Sequence, residues 1–517
     1  MKPGKLTEFV KKNYKWLILG AIIVVAIFFR FWRLNHLPPG LHPDEAANGL
    51  DIFRMIDHHD FRVLYNTNGP REALFFYLQA IFVLIFGNTI LALRIAPALI
   101  GVGAVFTTYL WAKSWFGERV ALLTAFIMAV NPWAVTITRD GFRASMTPLM
   151  VTSVMYLYTR AAQTKQRKWF IAAGVVLGLG LYTYLAFRLF PFALIAIWGA
   201  MMIRRPKFIK PYNKMITVSL IAFAIVLIPL GIYGVRHPGD ILARASGTSF
   251  LNKSLNNGQP VQTLLSEVGK TALMFNVHGD ENYRQNLGGA PELNIFVGIM
   301  FILGIIICLT KLNRPRYYGL LFVFSAMLLP EVLTAEGIPH ALRSIGAMPE
   351  ALILAALGIE YMLERWYATF PINAAARTAG LSVIVVLLGL TLYQGYEQYF
   401  VAWANSPQTY AAYAEDAVSM GEYIRNNPFA GARYVVIDGY TDKTVEYLTH
   451  HHASYTLVDN TNNIATLPSG GAKQFFIGDS EHDAAIKELR SHFPGGQLYP
   501  EYSTFNGAEL YDIYIVK

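Results

Sequence analysis

The sequence predicts a mainly α-helical, polytopic membrane protein with about eleven spanning helices and a small C-terminal α/β domain. Three observations carry that expectation. Of the 517 residues, 54% are hydrophobic and only 15% charged, whereas soluble domains carry about 25% charged residues. The apolar residues are gathered into runs close to the ~20 residues that a helix needs to cross a bilayer. Lys and Arg cluster in alternate gaps between those runs. This composition excludes a disordered chain, a coiled coil and an ordinary soluble enzyme. A single cysteine, Cys308, excludes an intrachain disulfide.

The predicted spans are 15–33, 90–112, 119–135, 143–162, 169–186, 188–203, 215–233, 294–310, 316–333, 344–364 and 379–398. The first follows Lys11, Lys12 and Lys15, as a signal peptide would. No small-residue cleavage site follows, and the chain continues into Arg30, Phe31, Trp32 and Arg33, so it reads as an uncleaved anchor. The run 73–86 is too short to span and reads as a helix at the interface or packed under its neighbours.

With the N-terminus in the cytoplasm, the cytoplasmic gaps hold Lys113 and Arg119, then Lys165, Arg167 and Lys168, then Arg204, Arg205, Lys207, Lys210 and Lys214, then Lys311, Arg314 and Arg316, and finally Arg365 and Arg377. The formal charge of +9 is therefore mostly a topology signal and not a nucleic-acid footprint. This orientation expects an inner or plasma membrane location. It makes 1–399 the transmembrane domain, with outer loops 34–89 and 234–293, and puts 400–517 outside the cytoplasm. The tail alternates β-rich runs (RYVVID, KQFFIG, ELYDIYIVK) with helix-like stretches, the pattern of an α/β domain.

Ionisable groups beside an apolar bundle are expensive and mark functional candidates. Asp44 and Glu45 follow Leu41-His42-Pro43; they would serve as a general base or metal ligand, or equally as the N-terminal acids of a helix. Arg71 and Glu72 precede the run 73–86; Arg71 would contact substrate and Glu72 would point into the same cavity as Asp44, or Glu72 would cap the helix or pair with Arg71. Arg139 and Arg143 lie in a tight outer loop, where guanidinium forks suit a phosphate and interfacial snorkelling is the alternative. Arg343 stands at an outer helix N-terminus with His340 nearby, a ready anion site. Asp280 and Arg284 belong to a loop that would contact a ligand or form a capped turn. Tyr182, Tyr184 and Arg188 read as interface anchors, with Arg188 at an outer end a lesser phosphate candidate. His450, His451 and His452 read as a surface run, since consecutive side chains do not readily face one ion. Acids on one wall and arginines on another suit transfer of a group off a lipid phosphate.

At these residues the chain resembles the GT-C membrane glycosyltransferases, particularly bacterial members of glycosyltransferase family 39. PPGLHPDEAANGLD matches the family's acidic pair after helix 1, and GPREALFFYLQAIFVLIFG its second acidic element. LRIAPALIGVGAVFTTYLWAKSWFGERVALLTAF resembles the next two helices, and NPWAVTITRDGFRASMTPLM the second outer loop. HGDENYRQNLGGAPELN and PHALRSIGAMPEALILAALGIEYM resemble later loop and helix elements, so the likeness spans roughly 15–365. The resemblance implies a polyprenyl-phosphate-linked sugar donor, a protein, lipid or glycan acceptor, and inversion at the anomeric carbon. It implies Asp44 as general base, Glu45 in support, Glu72 as a second acid, and Arg343 with His340 on the donor phosphate.

The chain departs from the family where Ala144-Ser145-Met146-Thr147-Pro148 carries no acid after the second-loop arginines, and where Ala73-Leu74 follows Glu72 in place of Pro-Pro. No metal is assigned from the sequence, although Glu72 with His278 or His340 would supply divalent-cation ligands if brought together. A transporter or flippase of a lipid-linked sugar is the alternative. It is weakened by the lack of an internal repeat and by charges that sit in loops at one face.

Overall fold

A computed structural model describes residues 3–204, 207, 210–240, 247–478, 482–505 and 507–517. Each of the eleven predicted segments is helical: Pro3–Phe31, Ile90–Phe116, Glu118–Val130, Met146–Thr164, Arg167–Gly180, Phe190–Arg204, Asn213–Arg236, Ile295–Thr310, Pro315–Val332, Met348–Thr369 and Ala374–Tyr396. Six helical stretches among the described residues are long and apolar enough to cross a membrane: Lys12–Phe31, Ile90–Phe116, Leu185–Arg204, Asn213–Arg236, Ile345–Thr369 and Ala374–Trp403. The chain is thus a multi-pass membrane protein. Two of the other helices are shorter than their hydropathy runs for identifiable reasons. The third run breaks at Asn131, whose side chain accepts from the Ala134 amide (3.2 Å) and starts a new short helix with Pro132 at its first position. The fourth begins only at Met146, because Arg143–Ser145 forms a 3₁₀ turn. The run 73–86 is the helix Leu74–Phe86.

The chain divides into two compact units. The first comprises Met1–Trp32, Arg62–Phe75 and Pro97–Trp403, and the second Arg33–Phe61, Phe76–Ala96 and Ala404–Lys517. The second unit therefore takes in more than the expected tail from residue 400.

In the first unit, glycines let helices approach backbone to backbone. A Cβ on Gly304 would stand 1.9 Å from the Leu354 carbonyl oxygen, and one on Gly358 would stand 2.1 Å from that of Met300. These reciprocal contacts seat Ile295–Thr310 against Met348–Thr369, the small-residue packing expected where lipid offers no hydrophobic drive between helices. Arg30 and Arg139 tie down the end of the first helix. Arg30 donates to the carbonyls of Met128 (3.1 Å) and Ala129 (3.0 Å), and Arg139 to those of Phe29 and Trp32 (2.8 Å each).

Besides the two-residue strands Leu64–Tyr65 (β1) and Arg71–Glu72 (β2) of the first unit, the second unit holds a sheet of Ala432–Val436 (β3), Thr456–Leu457 (β4), Lys473–Ile477 (β5), Gln497–Tyr502 (β6) and Glu509–Val516 (β7), in the order β4-β3-β5-β7-β6. The β3 strand is parallel to β4 and β5, and β7 is antiparallel to β5 and β6. Alternate residues serve opposite faces. Val435, Phe476 and Ile513 pack with Met420 and Ile424 of helix Glu415–Asn426, whereas Tyr434, Phe475 and Ile477 pack with Ala485 and Leu489 of helix His482–His492.

Helix Pro43–His58 joins this unit through helix Asp442–Thr449. A Cβ on Gly49 would meet the Tyr447 ring at 2.3 Å, and the Phe53 ring stacks on Tyr447 at 5.3 Å. The Thr444 hydroxyl donates to the Leu41 carbonyl (3.0 Å), and that of Tyr447 to Thr89 (3.1 Å). The acidic pair is thus carried on an element that packs with the α/β layer, a grouping no composition shift announces.

Gly358→Val forces a side chain into the Met300 carbonyl and is expected to cost about 1–3 kcal/mol by overpacking. Thermal unfolding of the purified chain in detergent measures this; an unchanged midpoint would contradict the close helix contact.

Candidate functional site

The acidic pair lies at the start of helix Pro43–His58. Pro43 occupies its first turn, and the Asp44 amide donates to His42 Nδ1 (3.0 Å), which fixes the helix entry. Both carboxylates lie at the positive end of the helix dipole, but their surroundings differ. Glu45 is fully buried and takes a two-pronged ion pair from Arg94, with Nε to Oε2 at 3.2 Å and Nη2 to Oε1 at 3.1 Å. Arg94 also donates to the carbonyls of Pro38 (2.7 Å) and Gly40 (2.8 Å). The Asp44 side chain is 32% exposed and is the open member of the pair.

The sequence reading did not single out Arg94. It stands alone in the apolar stretch ILALRIAPALI, and the cost of a cation there was the signal that could have found it.

In the first unit, Glu72 lies on strand β2 (Arg71–Glu72), which pairs antiparallel with β1 (Leu64–Tyr65). Its carboxylate is shared by Arg143 Nε at 2.9 Å and Arg188 Nη2 at 2.9 Å, and the Arg143 guanidinium lies over the Tyr184 ring. Glu72 is thus neutralised twice, and Arg188 belongs with Arg143 and is more than an interface anchor. Arg71 is buried and donates to the Thr67 hydroxyl (3.2 Å).

The structure corrects the phosphate reading of Arg139. That side chain is fully buried, bonded to the backbone carbonyls at the end of the first helix and packed over the rings of Tyr399 and Phe400.

A second cluster joins loop 278–294 to the segment before helix Met348–Thr369. Asp280 is buried; its Oδ1 accepts from the Asn282 amide and its Oδ2 from the Ala341 amide, both at 2.8 Å. His340 Nδ1 lies 3.6 Å from the same Oδ2, and the His340 amide donates to Glu331 Oε1 at 2.6 Å. The Asp280 amide donates to Glu292 Oε1 (3.3 Å). Arg343 pairs with Glu336 (3.2 Å), and Arg284 Nε donates to Asn282 Oδ1 (3.2 Å). Asp280 is therefore a tie between two segments, which corrects its reading as a ligand contact.

Burial pushes the Asp280 carboxyl up to about 6, against the two amide bonds and the charges of Arg284 and Arg343. Burial, with Asp280 alongside, lifts Glu292 well above the usual carboxylate range. His278 pairs with Glu281 (3.0 Å) and His340 stands beside Asp280, whereas the Glu72 carboxylate is held by two arginines. Glu331 was also passed over, although an acid in the apolar run AMLLPEVL carries the same signal as Arg94.

The model of the dolichyl-phosphate-mannose-protein mannosyltransferase family matches residues 71–230. The chain superposes on ArnT from Cupriavidus metallidurans, solved bound to undecaprenyl phosphate, with a TM-score of 0.57 at 13% identity, covering 97% of this chain and 98% of that one. It superposes on the apo oligosaccharyltransferase of Archaeoglobus fulgidus with a TM-score of 0.56 at 15% identity, covering 97% and 74%. The chain has the GT-C fold, and its residues 71–230 are similar to that mannosyltransferase family.

Among relatives, the mannosyltransferase-like protein YycA of Bacillus subtilis is 30% identical over 169 residues, 31% of this chain. YkcB of the same organism is 26% identical over 176 residues, 34% of this chain. The matched stretch spans about a quarter of each relative's length, 24% in both cases. The family match includes Glu72, Arg94, Arg143 and Arg188, whereas Asp44, Glu45, Asp280, His340 and Arg343 lie outside it.

Glu45→Gln leaves the buried Arg94 without its counter-charge and is expected to cost about 3–5 kcal/mol. Asp44→Asn, at the more open position, is expected to cost less than about 1 kcal/mol. Unfolding midpoints of the two variants in detergent check the contrast; equal losses would overturn it. Because the folded-state pKa of Asp280 lies above the unfolded value of about 4, the folded chain holds that proton more tightly. Relative to Asp280→Asn, the parent chain should lose stability as pH rises from about 4 to about 6 and stay level above. Parallel pH profiles for the two proteins would contradict this.

Proposed function

We propose that the chain is a glycosyltransferase that moves a sugar from a polyprenyl-phosphate-linked donor to an acceptor at the outer face of the cell membrane. Its N-terminus lies in the cytoplasm and its C-terminal unit outside. The observation that carries the reading is the unequal environment of the acidic pair. Arg94 occupies Glu45, while Asp44 stands more open at the same helix start. A locked neighbour gives an open carboxylate a fixed frame, which is what a general base needs to meet a substrate hydroxyl or amine within hydrogen-bond reach.

In this reading Asp44 takes the proton of the acceptor nucleophile as that atom forms its bond to the anomeric carbon. The bond from that carbon to the donor phosphate oxygen breaks, and the lipid phosphate leaves with the electron pair. Attack from the face opposite the leaving group inverts the centre. Arg343 and His340 stabilise the negative charge gathering on the phosphate. Arg343 is anchored by Glu336, and His340 is placed through its amide on Glu331 and its ring beside Asp280. Glu72 positions Arg143 and Arg188 rather than acting as a free acid. The acceptor is a protein, lipid or glycan, and the sugar is a hexose or pentose. The GT-C fold, in place of a repeat-built transporter, also supports the enzyme over the flippase alternative.

With radiolabelled polyprenyl-phosphate sugars and membrane extract as acceptor source, Asp44→Asn is expected to abolish transfer while donor binding persists. Retained turnover would end the base assignment. Arg343→Ala is expected to weaken donor binding at least about tenfold, the loss of a charge-assisted contact of ~1.5–3 kcal/mol. Unchanged affinity would remove its phosphate role.

A further inference from the structure

Helix Pro43–His58 ends beside the end of helix Asp442–Thr449, both within the second unit. Asp57 lies in the last turn of the first, and His450 and His451 directly follow the second. Both imidazoles address one carboxylate oxygen: Asp57 Oδ2 is 3.3 Å from His450 Nε2 and 3.0 Å from His451 Nε2. One donor atom from each of the three residues falls within 4.8 Å of the other two.

Successive side chains on extended backbone point to opposite faces, which is why the His450–His452 run reads as a surface feature in the sequence. The structure departs from that at a single torsion. His450 caps the helix at φ −51°, ψ 129°, and His451 turns into the left-handed region at φ 64°. This unfavourable conformation for a non-glycine residue swings the second ring back toward the first, with the two centroids 4.0 Å apart. Phe53 lies flat against the His450 ring at 4.4 Å and 8°, holding its orientation from the helix that carries Asp57.

The set has the dimensions and the electrostatics of a cation site. Zinc binds imidazole nitrogen and carboxylate oxygen at about 2.0–2.2 Å in tetrahedral geometry. Such bond lengths in tetrahedral geometry place the ligand atoms about 3.3–3.6 Å from one another, close to the two histidine–aspartate separations of 3.3 and 3.0 Å. Two helix C-termini converge on the three residues, and each contributes partial negative charge that favours a cation.

We propose that Asp57, His450 and His451 form a zinc site, with solvent in the fourth position, that clips the helix bearing Asp44 and Glu45 to the α/β layer of the second unit. The site is independent of the transfer reaction and of the residues placed in it. A second group, His482, Glu509 and Asp512, also has metal-ligand chemistry. There, however, His482 Nε2 and Asp512 Oδ2 close to 2.7 Å as an ion pair, and this group serves as the control.

The test uses the full chain in detergent, stripped with chelator, reloaded with zinc chloride and desalted, with zinc per chain read by mass spectrometry and thermal unfolding run with and without zinc. The parent chain and His482→Ala are expected to retain about one equivalent and to unfold at higher temperature with zinc. Asp57→Asn and His451→Ala should lose both the retained zinc and the zinc-dependent shift. The His451 side chain is 58% exposed, so its removal should leave the zinc-free unfolding midpoint near the parent's. Should either variant fold poorly, cobalt(II) titration of the parent supplies a second readout. An intense tetrahedral visible band supports the site, and a weak octahedral spectrum overturns it. No retained zinc in the parent, undiminished zinc in Asp57→Asn and His451→Ala, or loss of zinc in His482→Ala would each overturn the proposal.

Discussion

The buried ion pair between Glu45 and Arg94 is the constraint on which the acidic end of the second unit depends. A guanidinium in an apolar helix has no water to fall back on, so each of its donors needs a partner. Arg94 meets that demand with the two oxygens of Glu45 and the carbonyls of Pro38 and Gly40. Four bonds from one side chain fix the loop 38–40, the start of helix Pro43–His58 and the helix beginning at Ile90 against one another. Gly40 makes this possible at φ 69°, where a Cβ would stand 2.4 Å from the Tyr413 carbonyl oxygen. Removing either charge leaves the other stranded, so the pair specifies the geometry even where it adds little net stability.

The first unit applies the same solution repeatedly. Arg30 and Arg139 spend their donors on the carbonyls of Met128, Ala129, Phe29 and Trp32. Arg143 and Arg188 instead converge on Glu72. The difference has a chemical consequence. An arginine bonded to carbonyls ties backbone to backbone, whereas Arg143 and Arg188 both hold the one carboxylate of Glu72. Loss of the Glu72 carboxylate would therefore release both guanidinium groups from it at once, which no change at either arginine does.

Much of this fold was legible in the sequence, because membrane solvent writes itself into hydropathy. Every apolar run became a helix, its ends shifted by several residues, and Asn131-Pro132 and the Arg143–Ser145 turn account for two of those shifts. The acidic pair was legible as a pair, but which acid is locked was not, since that depends on Arg94, 49 residues away along the chain. Arg139 and Arg143 looked equivalent in the string TRDGFR, and only three-dimensional partners separate a helix tie from an acid's counter-charge. His450 and His451 turned on the left-handed torsion at His451, which a non-glycine residue does not advertise.

In the proposed reaction the two neighbouring carboxylates at 44 and 45 divide one task between them. A base at a protein surface must keep an open face, yet an open side chain on a loop samples many orientations and loses the alignment a proton transfer requires. Pro43 and the His42 ring fix the backbone entering the helix, and the next residue, Glu45, is held rigidly by Arg94. Asp44, between them, keeps its carboxylate more open while its backbone is held on both sides. The buried ion pair thereby turns desolvation cost into orientation. The base proposed at Asp44 would give that costly cation in an apolar helix its use.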